Sequence, residues 1–474
     1  MTSMTPLRWA GIALSAVLAL YGIFHFFPYF ADGTVLGGIL LLEVIVACLW
    51  KYDERFYLLL LIAFAWAGMN VPMEGTWTIA RWVVLFAGAL VGFIVWTKTP
   101  RAPFGSLHLI AFFCVCAAFV SATVSPLART ASLKALSLLL LFIYCAAGGR
   151  LAVLRREDRF FHGLLLGCEI TTYLTVFCYF GLGTAIWGNP NSIGAVMSVG
   201  VFPILFWGWL ISDGPMVKFR RLVSLLLCAY LILFSGARAG MVAAVATTFT
   251  FCLCLHQYKL LVKVTALALL MVALAGVFAP ETLNQRLTGL MDIVLYKGHK
   301  EEGLLGSRRT PWEESIASIK EHPVFGTGYG TSPTGKDYGF YVEEMISSEQ
   351  SSREHGNSYM TIAEWVGLLG VLPFVALLGV TVSHIWKICA WMNRTCDPRH
   401  YSVPLAMVVL AGLVHAAFED WLFAVGYYVC VYFWIFAFLL TDLVPQAVAA
   451  PAPGVIARNS RTSPASFGAA VPNR

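Results

Sequence analysis

The sequence predicts an all-α, polytopic transmembrane helical bundle with one large extramembrane loop, and three observations predict it. Hydrophobic residues make up 59% of the 474 and charged residues only 12%, about half the roughly 25% that a soluble domain carries. Mean hydropathy is +0.75. Apolar runs of about 20 residues recur along the chain, each long enough to cross a hydrocarbon core of roughly 30 Å. So few charges cannot cover a water-soluble fold of this size. A lipid-spanning barrel would need short alternating strands in place of these runs.

Taken in order, the apolar runs fall near 9–27, 35–50, 56–72, 78–97, 104–124, 131–149, 159–181, 193–211, 221–235, 239–257 and 260–279. After a long polar loop come 369–393, 402–419 and 424–443. Several are short, which sets the expectation at about 12–14 crossings. The chain thus divides into N-terminal spans (1–279), a far loop (280–356), C-terminal spans (357–443) and a tail (444–474). The tail is rich in Ala, Pro, Ser and Asn and reads as disordered. Met1 to Arg8 lead straight into the first apolar run with no small-residue cleavage site, so that run reads as an anchor.

Basic residues set the orientation. Clusters fall at Lys51 and Arg55, Lys98 and Arg101, Arg150 to Arg159, Lys218 to Arg221, Lys259 and Lys263, and Lys387 to Arg399. The alternate loops carry few, which places the clusters and both termini in the cytoplasm and residues 280–356 on the far side. The net charge of +6 is therefore topology, and no nucleic-acid partner is expected. The twelve cysteines lie almost entirely in apolar segments, which argues for buried thiols over a disulfide framework or a zinc site.

The far loop has structure of its own. Residues 310–321 predict a short amphipathic helix, with Pro311 at its start and Trp312, Ile316 and Ile319 on one face. Gly326, Gly328 and Gly330 then interrupt the chain. Although Gly326-Thr-Gly-Tyr-Gly330 superficially resembles a nucleotide loop, it follows a helix and no βαβ unit is visible. Residues 357–366 resume a helical pattern that feeds the next span through Gly367 and Gly370.

Positive charge is not expected on the far side, so its basic residues stand out. Arg238, in Ser235-Gly-Ala-Arg-Ala-Gly240, sits between two spans. It either snorkels or, with glycines permitting close approach, grips a phosphate bidentately. Arg308 and Arg309 precede Trp312. They either pair with Glu313 and Glu314 in an exposed loop or bind an anion at a helix start. His355, flanked by Glu354, lies where the loop meets the membrane again. A histidine of near-neutral pKa can take a proton from an attacking hydroxyl, with a carboxylate to orient it. Glu43, Glu169, Lys134 and His415 fall in apolar segments and must face the bundle interior or a watery cleft, so a transporter is the competing class. Asn189-Pro190-Asn191, at a far-side span end, is a helix cap or a ligand contact.

Together these pieces resemble the O-antigen ligase and polymerase family of bacterial envelope glycosyltransferases. The likeness runs from Asn189-Pro-Asn-Ser-Ile-Gly194 through Ser235-Gly-Ala-Arg238, Arg308 with Trp312, and His322-Pro-Val-Phe-Gly-Thr-Gly328. It ends with His355, Asn357-Ser-Tyr-Met and Glu364-Trp-Val-Gly367. One departure stands out: the family has His followed directly by Asn, whereas here Gly356 intervenes. A long far-side loop before the last spans favours a ligase over a polymerase.

The resemblance implies transfer of a polysaccharide from undecaprenyl diphosphate to a sugar of the lipid A core, at the periplasmic face of the bacterial inner membrane, with membrane lipids around it. It implies neither metal nor other cofactor. Two arginines and a histidine are essential in such ligases; here they map to Arg238, Arg308 and His355. Asn189, Asn191, Arg309, Trp312, Glu354 and Asn357 are expected to contact substrate.

Overall fold

The computed structural model describes residues 74–97, 104–150, 156–184, 186–187, 190–263, 306–332 and 355–445, with a few isolated positions beside them. Every regular element among them is helical, the outcome that lipid imposes because each backbone N–H and C=O must find its partner within the chain. In order they are α1 (Glu74–Thr97), α2 (Ser106–Val124), α3 (Ala128–Gly149), α4 (Glu157–Gly181), α5 (Pro190–Leu210) and α6 (Pro215–Phe234). After these come α7 (Arg238–Cys254), α8 (Gly306–Glu321), α9 (Ser358–Thr395), α10 (Ser402–Ala416) and α11 (Tyr428–Leu443). Among the described residues α2, α3, α4, α5 and α9 are long and apolar enough to cross a membrane; α7, α10 and α11 are shorter apolar helices. The predicted spans at 9–27 and 35–50, most of 56–72 and 260–279, Glu43, and the tail beyond Pro445 lie outside the described residues.

Local chemistry sets the helix starts. Pro215 opens α6, where its missing N–H costs nothing, and Glu157 and Asp158 sit in the first turn of α4, where the helix dipole favours acid. Helices α3, α4 and α5 each contain a π-helical turn, at Tyr144–Gly149, Phe177–Gly181 and Val196–Val201.

Burial separates the centre from the lipid face. Between Tyr428 and Leu440 nearly every side chain of α11 is buried, and α10 is buried almost as completely. By contrast α2 exposes Leu109, Phe112 and Phe113, and α9 exposes Leu369, Leu372 and Val375. Apolar exposure on this scale suits a helix in hydrocarbon and not one in water.

Charges inside this bundle are paired. Arg150 makes a two-pronged ion pair with Asp442, joining the end of α3 to the end of α11. Glu169, a candidate for an ion pathway, lies 3.3 Å from the Arg220 guanidinium and 3.9 Å from that of Arg221. Its carboxylate is thus neutralised by the basic start of α6. Lys134 donates to the Gly330 carbonyl at 2.6 Å, so it ties α3 to the far loop.

The far-loop helix departs from its predicted form. It begins at Gly306, one turn before the expected Thr310, and Pro311 lies within it. The extra turn puts Arg308 and Trp312 on one face, four residues apart. Ser315 is fully buried on that face, whereas Ile316, expected to face inward, is 45% exposed.

Candidate active site

Two glycines bring the first arginine into place. A Cβ on Gly194 of α5 would lie 2.2 Å from the Ala237 Cβ, and one on Gly240 would lie 3.0 Å from the Gly194 carbonyl oxygen. Only glycine permits that approach. It packs the start of α5, with Asn191, against the start of α7, whose first residue is Arg238. Arg238 is half-buried and close enough to Arg308 for the two guanidiniums to feel each other's charge.

Arg308 and Arg309 point different ways, as neighbours on a helix must. Arg308 donates to Glu419 Oε1 at 2.5 Å and is mostly buried. Arg309 is 78% exposed and bonds Glu313 one turn on, at 2.8 Å. Beneath Arg308 lies Gly356, in the left-handed region at φ 65°. A Cβ there would come within 2.6 Å of the Arg308 Nη1. The inserted glycine therefore makes room for the guanidinium. Trp312 closes the same corner, its indole N–H donating to the Gly356 carbonyl at 3.3 Å.

His355 is held by a lock between two stretches of the chain, 322–332 and 364–367. Helix α9 breaks at Gly367, at φ 68° and ψ 177°, which frees backbone carbonyls upstream. Thr327 N–H donates to the Glu364 carbonyl at 3.0 Å and Gly328 N–H to that of Trp365 at 3.1 Å, while Leu368 N–H donates back to Pro323 at 2.8 Å. The glycine-rich stretch is thus a backbone wedge. It delivers Ser332, which accepts from the Trp365 indole at 3.1 Å and lies 2.8 Å from His355 Nε2.

Among the described residues the carboxylates that touch His355 are Glu364 and Asp420; Glu354 lies outside them. His355 Nδ1 is 3.2 Å from Asp420 Oδ2, its backbone N–H donates to the same oxygen at 2.9 Å, and Nε2 is 3.4 Å from Glu364 Oε1. Asp420 belongs to the turn between α10 and α11. That turn is fixed by Ser358, whose N–H and hydroxyl both donate to the Glu419 carbonyl, at 3.0 and 2.6 Å. Asn357 caps α9, its side chain accepting from the N–H groups of Tyr359 and Met360 at 2.9 and 3.2 Å.

Electrostatics follow from this geometry. Burial alone would lower the His355 imidazole, but hydrogen bonds to Asp420 and Glu364, and their charge, raise it above its ordinary 6.5. Burial would raise Asp420, yet its bonds to His355 hold the carboxyl below its ordinary 3.8. The imidazole is fully buried, whereas the Asp420 side chain is 28% exposed. Asp420 faces a cleft of about 280 Å³ that Asn191, Ser192, His415, Glu419 and Tyr427 also line.

Histidine and cleft are therefore joined through Asp420. The arrangement sets a proton-accepting pair at the cleft wall, with Arg308 behind Glu419 and Arg238 within charge range of Arg308. Among the described residues no group of three or more His, Cys, Asp or Glu is placed to hold a metal ion, and the described cysteines are free thiols.

The sequence singled out Arg238, Arg308, Trp312 and His355, which the structure gathers in one region, with Asn191 on the cleft wall. Asn189 lies outside the described residues. Glu419 and Asp420 were not foreseen, and the only signal for them was an acidic pair in a span end, where charge is expensive.

Residues 223–375 match the family model described as O-antigen ligase. No match emerges among curated proteins. The matched stretch holds Arg238, Arg308, Trp312, the 322–328 wedge, His355 and the α9 break, while Asn191 and the Glu419–Asp420 turn lie outside it. The match supports the O-antigen ligase family reading of the motifs and, in general terms, a ligase- or polymerase-like activity for this multi-pass helical membrane protein.

Proposed function

We propose that the protein is an O-antigen ligase that moves a polysaccharide from undecaprenyl diphosphate to a sugar of the lipid A core, at the periplasmic face of the inner membrane. The observation that carries this reading is the chain of contacts beside one cleft: Asp420 on its wall bonds His355, while Arg308, paired with the wall residue Glu419 and near Arg238, lies just outside it. An acceptor hydroxyl gives its proton to Asp420, and onward to His355 Nδ1, as its oxygen attacks the anomeric carbon of the donor. The bond from that carbon to the diphosphate oxygen breaks, and the diphosphate leaves with the electron pair. A single displacement inverts the anomeric centre.

Arg238 and Arg308 hold the diphosphate and stabilise the charge it gains. Two guanidiniums stand where such a leaving group otherwise needs a cation, so EDTA is expected to leave transfer unchanged. Glu419 occupies Arg308 before the donor arrives and so keeps that buried charge paired. Arg309, exposed and bonded to Glu313, serves at most at the rim.

A polymerase would use the same chemistry on a lipid-linked acceptor. A deletion strain separates the two: its lipopolysaccharide is expected to carry a bare core while long lipid-linked chains accumulate. Short lipid-linked chains would point to the polymerase. The transporter reading loses its footing because Glu169 is ion-paired and Lys134 holds the far loop.

A further inference from the structure

His415 lines the same cleft but has no part in the proton path or the diphosphate clamp. It sits in the last turn of α10 and is 1% exposed. The Trp421 indole N–H lies 2.9 Å from its Nδ1. An indole nitrogen can only donate, so Nδ1 must present its lone pair. The ring is then neutral and its proton sits on Nε2. Nε2 has no hydrogen-bond partner among the described residues. Trp421 therefore fixes one tautomer and leaves a single N–H for whatever enters the cleft.

The other walls say what that is. Glu419 and Asp420 supply carboxylates, Asn191 an amide, Ser192 and Tyr427 hydroxyls, and no lysine or arginine is among the lining residues. Arg308 reaches Glu419 from outside that lining. A lining of acids, an amide and hydroxyls, with Arg308 engaged by Glu419 from behind the wall, suits a neutral polyhydroxyl ring, which offers donors to the acids and acceptors to the amide and the imidazole N–H. A buried N–H aimed at a hydroxyl oxygen discriminates strongly, because an empty cleft leaves it unpaired.

Resting on the transfer reading above, we propose that this cleft is the acceptor-sugar subsite, and that the His415 Nε2–H is the donor that seats the ring with its reacting hydroxyl at Asp420. The diphosphate lies outside the cleft, on the arginine side. His415 therefore discriminates acceptors and does not hold the donor.

The test uses full-length protein in proteoliposomes with lipid-linked donor and lipid A core acceptor. His415→Ala is expected to raise the KM for the acceptor about tenfold, the worth of one buried hydrogen bond, with the donor KM unchanged. His415→Gln, which keeps an N–H donor, is expected to recover most of that loss. An unchanged acceptor KM, or a rise in the donor KM instead, overturns the proposal.

A second arm measures binding of core oligosaccharide, freed of lipid by mild acid, to the detergent-solubilised protein. His415→Ala should weaken it about tenfold and Arg238→Ala should leave it unchanged; equal binding by His415→Ala and the wild type overturns the subsite. Full transfer by Arg238→Ala would defeat the diphosphate clamp while leaving the oligosaccharide result to decide the subsite on its own.

Discussion

His355 gains its basicity from two carboxylates, and that dependence can be read in a pH profile. Its folded pKa is raised by Asp420 and Glu364 against the cost of burial. Proton acceptance requires the neutral ring, so kcat/KM should rise with pH through a value above 6.5. In Asp420→Asn that limb should move to lower pH, alongside a large fall in rate; an unmoved limb would assign the titration to another group. The same contacts stabilise the fold below 6.5, and that contribution fades as pH rises through the raised value. Gly356→Ala tests the neighbouring contact. A left-handed backbone costs a non-glycine residue about 1–2 kcal/mol, and the new Cβ would meet the Arg308 Nη1 at 2.6 Å. Lower thermal stability and lost transfer are expected together; a fully active, equally stable variant would refute the packing described for Arg308.

At the scale of elements, hydropathy located the spans but not the turns hidden among them. The expected runs at 131–149, 159–181 and 193–211 fall within a few residues of α3, α4 and α5, because an apolar run long enough to cross lipid is the signal itself. The runs at 402–419 and 424–443 both reach into a turn at 417–427. Trp421, Leu422, Phe423 and Val425 in that turn are buried, so its composition looks like helix. Glu419 and Asp420 were concealed there, and the partner of His355 stands 65 residues away in sequence, beyond the reach of local pattern. The break in α9 was legible only as a glycine. Gly367→Ala would set a Cβ 2.3 Å from the Val324 carbonyl oxygen. It is expected to undock the 322–328 wedge, seen as faster proteolysis of the far loop; an unchanged cleavage rate would show that the wedge does not depend on the break.

For the whole molecule, transfer on the far side requires that the site and the basic loops lie on opposite sides of the membrane. In that arrangement Cys396, exposed at the end of α9, would face the basic side, and Arg309, exposed on α8, the far side. In intact cells a membrane-impermeant maleimide is expected to label Arg309→Cys and to spare Cys396, with the pattern reversed in inverted vesicles. Labelling of both from one side would overturn the orientation. Chemistry at the helix ends also accounts for the architecture. Buried α10 and α11 hold the acidic turn, α5 and α7 bring Asn191 and Arg238, and α8 lays Arg308 across the top.

The proposed chemistry turns on Arg238 and Arg308 holding a lipid-linked diphosphate as it leaves. The decisive assay is transfer by Arg238→Ala from lipid-diphosphate-linked polysaccharide to lipid A core in proteoliposomes. A loss of at least about a hundredfold in rate is expected, as for removal of a donor to a developing anion, with unchanged binding of core oligosaccharide. Transfer at the wild-type rate would contradict it.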